Sequence, residues 1–308
     1  MWQTNNILYH LIRAMRPRQW TKNASLFAAA IFSGALFDGV DIYRLAIAAV
    51  LFSLLSSATY LINDVKDAER DALHPIKKNR PIPSGRLSKG FALSVALALV
   101  VFVLLMSVVF VNIPFFAICI IYLLLQISYS IYLRNIIIVD ALTVAVGFIV
   151  RVFAGGFAAD VSISSWIILS TIGLSLLLAF GKRRSERTIL GSQDIAFKTR
   201  ATLKSYPDSL LDSMISMSAS YTMIAYSIFC FQTGVRSDIF LNRYLPTTLS
   251  SPKWLMITIP LVIYGVARYL YVIYEKRDAE SPERVLMSDI PLLVSVLMWG
   301  ILAFAIIY

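Results

Sequence analysis

Cysteine and histidine are scarce in this chain, with two of each among 308 residues. Cys119 and Cys230 both fall inside apolar runs, which excludes a disulfide framework or a thiolate zinc site as the organising feature. His10 and His74 stand far apart in sequence, so a histidine-based metal centre has no support. A GxxxxGK[ST] phosphate loop and a GxSxG elbow are both missing. Charge is thin: 15% of residues are Asp, Glu, Lys or Arg, against roughly 25% in soluble domains. With no Pro/Gly/Ser linker and no low-complexity tract, residues 1–308 are expected to form one domain.

Hydrophobic residues make up 58% of the chain and its mean hydropathy is +0.73. That composition predicts an all-α, polytopic membrane protein, a bundle of transmembrane helices. The net charge of +10 is then no sign of nucleic acid. In a membrane protein, basic residues mark cytoplasmic loops and their anionic lipid or phosphate partners.

A span needs about 20 mostly apolar residues. Nine stretches qualify: 24–39, 42–62, 91–111, 113–131, 136–157, 164–181, 215–234, 253–274 and 289–308. The first is shortened by Gly34 and Asp38. Loops on one side carry Lys66, Arg70, Lys77, Lys78, Arg80, Arg86, Lys89, Arg134, Lys182, Arg183, Arg184, Arg187, Lys198, Arg200, Lys204, Lys276, Arg277 and Arg284. The other side offers only Arg44, Arg236, Arg243 and Lys253. The excess of positive charge places the N-terminus in the cytoplasm and the C-terminus outside, in a cell inner or plasma membrane, which an odd number of spans permits. Residues 1–22 lack the apolar core and cleavage site of a removable signal. Ile7, Leu8, Leu11, Ile12 and Met15 instead predict a cytoplasmic amphipathic helix at the interface.

The run NDVKDAERD, residues 63–71, is the most informative stretch. Continued as a helix out of the second span, it stacks Asp64, Asp67 and Asp71 on one face, with Asn63 one turn before Asp67. Like charges so placed repel, and a hard cation such as Mg2+ relieves them, binding one or two carboxylates together with substrate phosphates. The alternative is a solvated helix end screened by Lys66 and Arg70. The next stretch, HPIKKNRPIPSGRLS, holds Lys77, Lys78, Arg80 and Arg86 among Pro75, Pro81, Pro83 and Gly85, and prolines stiffen a loop. Acids for Mg2+ beside cations for phosphate make a site for a diphosphate ester. Asp140 and Arg151 are eleven residues apart, which puts both on one face of the fifth span, where ionisable groups usually face the bundle interior. Packing against another helix explains them as well. At the end of the sixth span, in FGKRRSER, Lys182, Arg183 and Glu186 share a face and Gly181 offers a ligand close approach to the backbone. RPRQWTKN near the N-terminus adds Arg16, Arg18, Lys22 and Asn23, with Trp20 as an interface anchor.

NDxxDxxxD at 63–71 followed by HPxKxxRPIPSG resembles the UbiA superfamily of integral membrane prenyltransferases. The resemblance runs over nearly the whole chain and implies nine helices around a central cavity with the active site at its cytoplasmic end. Aromatic prenyltransferases of that superfamily carry a second acidic motif, DxxxD, after the sixth span, where this chain has the basic GKRRSER. With RPRQWTKN at 16–23, YSIYLRN at 129–135 and DALTVAVGFIVRVFAGG at 140–156, it is similar to the decaprenyl-phosphate phosphoribosyltransferases. That branch implies phosphoribosyl diphosphate as donor, a polyprenyl phosphate as acceptor and a place in cell wall biosynthesis. On this resemblance Asn63 orients the acids, Lys77 and Arg80 take donor phosphates, and Lys22, Arg134, Lys182 and Arg183 take donor or lipid phosphate. Tyr129, Asp140, Arg151 and Glu186 complete the substrate-binding set. A prenyltransferase acting on an aromatic or lipid acceptor is one alternative. A nonenzymatic transporter or lipid-binding protein is another, for which charges nearer the bilayer midplane are expected.

Overall fold

The computed structural model of the chain describes residues 6–34, 36–37, 39–73, 77–190, 205–233, 253–276, 285–286 and 288–308. Asp38, His74, Pro75, Lys198, Arg200, Lys204, Arg236, Arg243, Arg277 and Arg284 lie outside these. Among the described residues there is no strand, and eight helical stretches are long and apolar enough to cross a membrane. The chain is a multi-pass, all-α membrane protein. The expected first span, 24–39, is not among the eight. Its residues fall in a 3-10 helix, Pro17–Leu26, followed by the six-residue α2, Phe27–Phe32. Pro17 starts the 3-10 segment where Arg16 adopts the left-handed conformation (φ 55°, ψ 61°) and ends α1, Ile7–Met15.

The chain divides into two compact units. The first comprises Met1–Ala28, Val40–Val161 and Leu190–Tyr206. It holds α1, the 3-10 segment, α3 (Ile42–Lys66), α4 (Ala68–Ala72), α5 (Lys89–Phe110), α6 (Ile113–Ile131) and α7 (Val139–Ala159). Local chemistry sets the starts of these helices: Asn6, Asp41, Ser88 and Asn112 each accept a hydrogen bond from a first-turn N–H through the side chain. Small residues let the helices close up. Ala58, Ala68, Ala92 and Ala96 pack with Leu61, Ile82 and Leu87, so α3 and α5 are tightly apposed. On α7, Gly155 lies against the backbone of Leu26, leaving no room for a side chain.

The second unit comprises Ala29–Gly39, Ser162–Ile189 and Pro207–Tyr308, with α8 (Ser165–Leu190), α9 (Asp208–Gln232), α10 (Ile259–Tyr271) and α11 (Ile290–Ile307). α8 continues well beyond residue 181, so the KRRSER segment is helix and not loop. α9 likewise begins seven residues before the expected 215. Both extensions are polar, and they neutralise one another: Arg184 Nε lies 2.8 Å from Asp212 and Arg187 Nε 2.6 Å from Asp208. Gly181 is the point of close approach here, since a Cβ would stand 2.8 Å from Ile273 Cδ1 and 2.9 Å from the Tyr269 hydroxyl. Helix packing occupies the space expected for a ligand.

Candidate active site

The helical hydrogen bonding of α3 runs on past its end. The Asp67 N–H donates to the Asn63 carbonyl at 2.9 Å and the Asp71 N–H to that of Asp67 at 2.8 Å. Asp67 itself caps α3 at φ −91°, ψ 1°, so NDVKDAERD is two helices joined at this residue and not one. Asp64 and Asp71, two turns apart, are buried, at 3% and 4% exposure. They share one guanidinium: Arg80 NH1 lies 3.2 Å from Asp64 Oδ1 and 2.6 Å from Asp71 Oδ2. Arg16 NH2 donates to the same Asp64 oxygen, and its guanidinium lies over the Tyr60 ring at 5.1 Å. Asp67 is held otherwise, by both terminal nitrogens of Arg134 at 2.6 and 2.8 Å and by Arg70 at 3.1 Å. The expected stack of three carboxylates is thereby divided among arginines, which offset the like-charge repulsion of acids spaced three and four residues apart.

Three carboxylates meet the five cations Arg16, Lys66, Arg70, Arg80 and Arg134, and the surplus is positive. Lys66 Nζ donates to the Ser130 carbonyl at 2.7 Å, which ties the end of α3 to the end of α6. Burial by itself pushes the Asp67 carboxyl up, but the hydrogen bonds and charge of Arg134, with Arg70 and Lys66 adding to them, hold it below the usual carboxylate value. The hydrogen bond to Asp67 in turn raises Arg134. Arg80 moves the other way, lowered first by burial and then by the charge of Arg16, with Asp64 and Asp71 opposing. Its hold on a proton is thus weaker than that of Arg134, though a guanidinium stays charged at any working pH.

The loop that brings Arg80 is ordered by its own backbone. The Arg80 N–H donates to Lys77, Ser84 to Arg80 and Leu87 to Pro81, each at 3.0 Å, while Ile82 and Leu87 are buried beneath. Lys77 is half-buried on a 3-10 turn, Lys77–Asn79, that packs against α4. Asn63 is half-buried, and its carbonyl takes the Asp67 bond. Tyr129 is half-buried near Arg134. Lys22 is half-buried on the 3-10 segment. Asp140 and Arg151 are both buried on α7, as their spacing predicted, but with separate partners. Asp140 accepts from the Tyr206 hydroxyl at 2.6 Å. Arg151 donates to Asn23 Oδ1 at 2.9 Å, to the Gly147 carbonyl at 2.7 Å and to the Tyr122 hydroxyl at 3.1 Å, and lies over the rings of Tyr122, Phe148 and Phe52. Amide, carbonyl and aromatic faces satisfy this buried cation. Asn23 also donates to Ser53 and Ser56, and Trp20 to Ser57, so Trp20 packs on α3 through its indole N–H. In the second unit Arg183, buried, holds Glu186 at 2.9 Å, and Lys182 lies 3.9 Å from it.

Among the described residues no three Asp, Glu, His or Cys side chains converge as a ready metal cage. Asp64 and Asp71 nonetheless fit a divalent ion. Both are hard oxygen donors, both are buried, and one cationic nitrogen already bridges them. Two carboxylates and the oxygens of a bound phosphate are what Mg2+ ordinarily takes.

Fold and site define a multi-pass helical membrane protein with a cluster of acids and arginines at the end of a long helix. The chain belongs to the UbiA prenyltransferase family, whose model matches residues 24–301. It is 32% identical over 298 residues to the decaprenyl-phosphate phosphoribosyltransferase of Mycolicibacterium smegmatis, covering 96% of this chain and 91% of that one. With the enzyme of the same name from Corynebacterium glutamicum the identity is 33% over 298 residues, or 96% and 85% of the two chains. A solved UbiA homologue from Archaeoglobus fulgidus, bound to GPP and Mg2+, superposes with a TM-score of 0.71 over 97% of this chain and 99% of that one. At 17% identity that likeness is one of fold.

Proposed function

We propose that this protein transfers a 5-phosphoribosyl group from phosphoribosyl diphosphate to a polyprenyl phosphate of the decaprenyl type, releasing diphosphate. The observation that carries the reading is the near full-length identity to two enzymes of that name. The surplus of arginine over carboxylate around Asp64, Asp67 and Asp71 supports it, since donor and acceptor both bring phosphate.

Asp64 and Asp71, with Asp67 beside them, would hold Mg2+, which when bound supplies charge neutralisation for the diphosphate. Arg80 and Arg16 exchange carboxylate oxygens for phosphate oxygens of the donor, and Lys77 adds a further cation from its ordered turn. Arg134 and Lys22 serve the remaining phosphate oxygens. Asn63 fixes Asp67 through the backbone. An oxygen of the lipid phosphate attacks the anomeric carbon of the ribose, the bond from that carbon to the diphosphate oxygen breaks, and the electron pair leaves with diphosphate. A phosphate monoester is already ionised near neutral pH, so no side chain is required as general base. The cations around the departing diphosphate stabilise charge as it develops.

The whole chain, 1–308, acts as one domain in this reading, which a single family match from 24 to 301 supports. The N-terminus lies in the cytoplasm, the lysine- and arginine-rich loops beside it, and the C-terminus outside. Nine crossings are still available. The ninth is the expected first stretch, 24–39, which contains α2. A phosphatase fused after Tyr308 is expected to be active outside the cell; activity only on lysis would reverse the orientation.

The reaction is tested with the purified chain in detergent, given radiolabelled phosphoribosyl diphosphate, a polyprenyl phosphate and Mg2+. Labelled lipid is the expected product. If none forms and a prenyl diphosphate is instead consumed with an aromatic acceptor, the chain is a prenyltransferase and the proposal is wrong.

A further inference from the structure

The turn that leads from Arg134 into α7 is in a conformation that isoleucine rarely adopts. Ile138 has φ 69° and ψ −46°, and the Val139 N–H donates to the Ile137 carbonyl at 2.8 Å. These values describe a γ-turn of the positive-φ kind, rare and strained even for unbranched residues. Such strain persists only where surrounding structure imposes it, and it concentrates at ligand clamps and working sites.

Here the imposing group is Tyr206, a residue with no signal in its local sequence. The Ile138 N–H donates to the Tyr206 hydroxyl at 2.7 Å, and that hydroxyl donates to Asp140 Oδ1 at 2.6 Å. Both Tyr206 and Asp140 are fully buried. The chain between this anchor and Arg134 has little slack. Asn135 N–H bonds to Tyr132 at 3.0 Å, Ile136 to Leu133 at 3.2 Å and Asp140 to Ile136 at 3.1 Å, so the residues from 132 to 140 form a linked series of short turns. A change of φ at Ile138 is therefore passed to the 3-10 turn Leu133–Asn135 that carries Arg134.

We infer that Tyr206, anchored on Asp140, is a positioning residue that holds the strained turn at Ile138 and so aims Arg134 at Asp67 and at the diphosphate of the donor. The assignment rests on the proposed reaction only for the identity of that anion. Asp140 thus serves the site from behind, without touching substrate.

The test uses the full chain in detergent and two measurements: Mg2+-dependent binding of inorganic diphosphate by calorimetry, and the thermal unfolding midpoint. Tyr206→Phe removes both hydrogen bonds and is expected to weaken diphosphate binding by the folded protein about tenfold, in line with the release of one strained residue, and to lower the midpoint as well, because buried Asp140 loses a partner. Glycine takes positive φ without strain. Adding Ile138→Gly to Tyr206→Phe should therefore restore most of the affinity, and Ile138→Gly alone should bind like the wild type. A purely structural role would lower the midpoint and leave the affinity of the folded protein unchanged. That result, or a double variant that binds no better than Tyr206→Phe, overturns the assignment. Should Tyr206→Phe not fold, the double variant decides: folding with near wild-type affinity supports the assignment and failure to recover it overturns it. A wild type that binds diphosphate but labels no lipid from phosphoribosyl diphosphate refutes the proposed reaction and leaves the positioning role to stand on the variants. A wild type that binds no diphosphate refutes both.

Discussion

Asp64→Asn and Asp71→Asn are each expected to lower turnover by at least about 10³-fold, in keeping with the loss of an electrostatic group that acts on a departing anion. Both carboxylates are buried and bridged by a single Arg80 nitrogen, so each substitution removes a hard oxygen anion from the pair proposed to hold the divalent ion. The amide keeps the shape and one oxygen, but not the charge. In Asp64→Asn both Arg16 and Arg80 face a neutral group, and in Asp71→Asn Arg80 alone does, at a cost of about 1–3 kcal/mol, less than for a fully buried pair because both guanidinium groups reach solvent in part. Initial rates against Mg2+ concentration, together with the unfolding midpoint, check this. Near wild-type turnover in a folded Asp64→Asn protein would remove these residues from the metal assignment. Glu69→Gln is the internal control. Its side chain is 91% exposed and pairs with Lys89 at 3.0 Å, so activity and stability should both hold.

The second large effect is steric. A Cβ built on Gly155 would stand 1.7 Å from the Leu26 carbonyl oxygen, 2.5 Å from its carbon and 2.8 Å from its Cα. All three are backbone atoms, so no side chain can swing away, and Gly155→Ala must push the 3-10 segment Pro17–Leu26 off α7. The expected cost is about 3 kcal/mol or more, a fall of roughly 10 °C in the unfolding midpoint. Turnover should fall with it, because the displaced segment carries Lys22 and is continuous with Arg16. Gly90→Ala, in the first turn of α5 with nothing within 4 Å, should change the midpoint by no more than a few degrees, since alanine is the better helix former. Equal behaviour of the two variants would refute the packing argument.

Much of the site was legible in one dimension because its elements are local. Asp64 and Asp71 lie seven residues apart, so a helix alone brings them to one side, and the prolines and glycine after residue 80 signalled the ordered loop that returns Arg80 to them. The shared helical face of Lys182, Arg183 and Glu186 on α8 was legible for the same reason. What composition cannot reveal is which cation answers which acid. Arg16 reaches Asp64 across 48 residues and Arg134 reaches Asp67 across 67, distances at which no periodicity operates. Asp140 and Arg151 show the same limit. Their common face followed from 3.6 residues per turn, whereas their separate partners, Tyr206 and Asn23, come from other parts of the chain.

The sequence by itself determined the membrane class, the helical content and the acidic motif, because hydropathy and helical period act over neighbouring residues and need no knowledge of the fold, and its motifs carried the resemblance to the family. The tertiary structure alone decided three things: that the first apolar stretch begins in a 3-10 segment lodged against Gly155, that the acids share arginines and do not stand alone, and that a strained isoleucine is held in place by Tyr206. Each depends on where distant backbone and charge meet, and burial forces such groups to find partners wherever the fold supplies them.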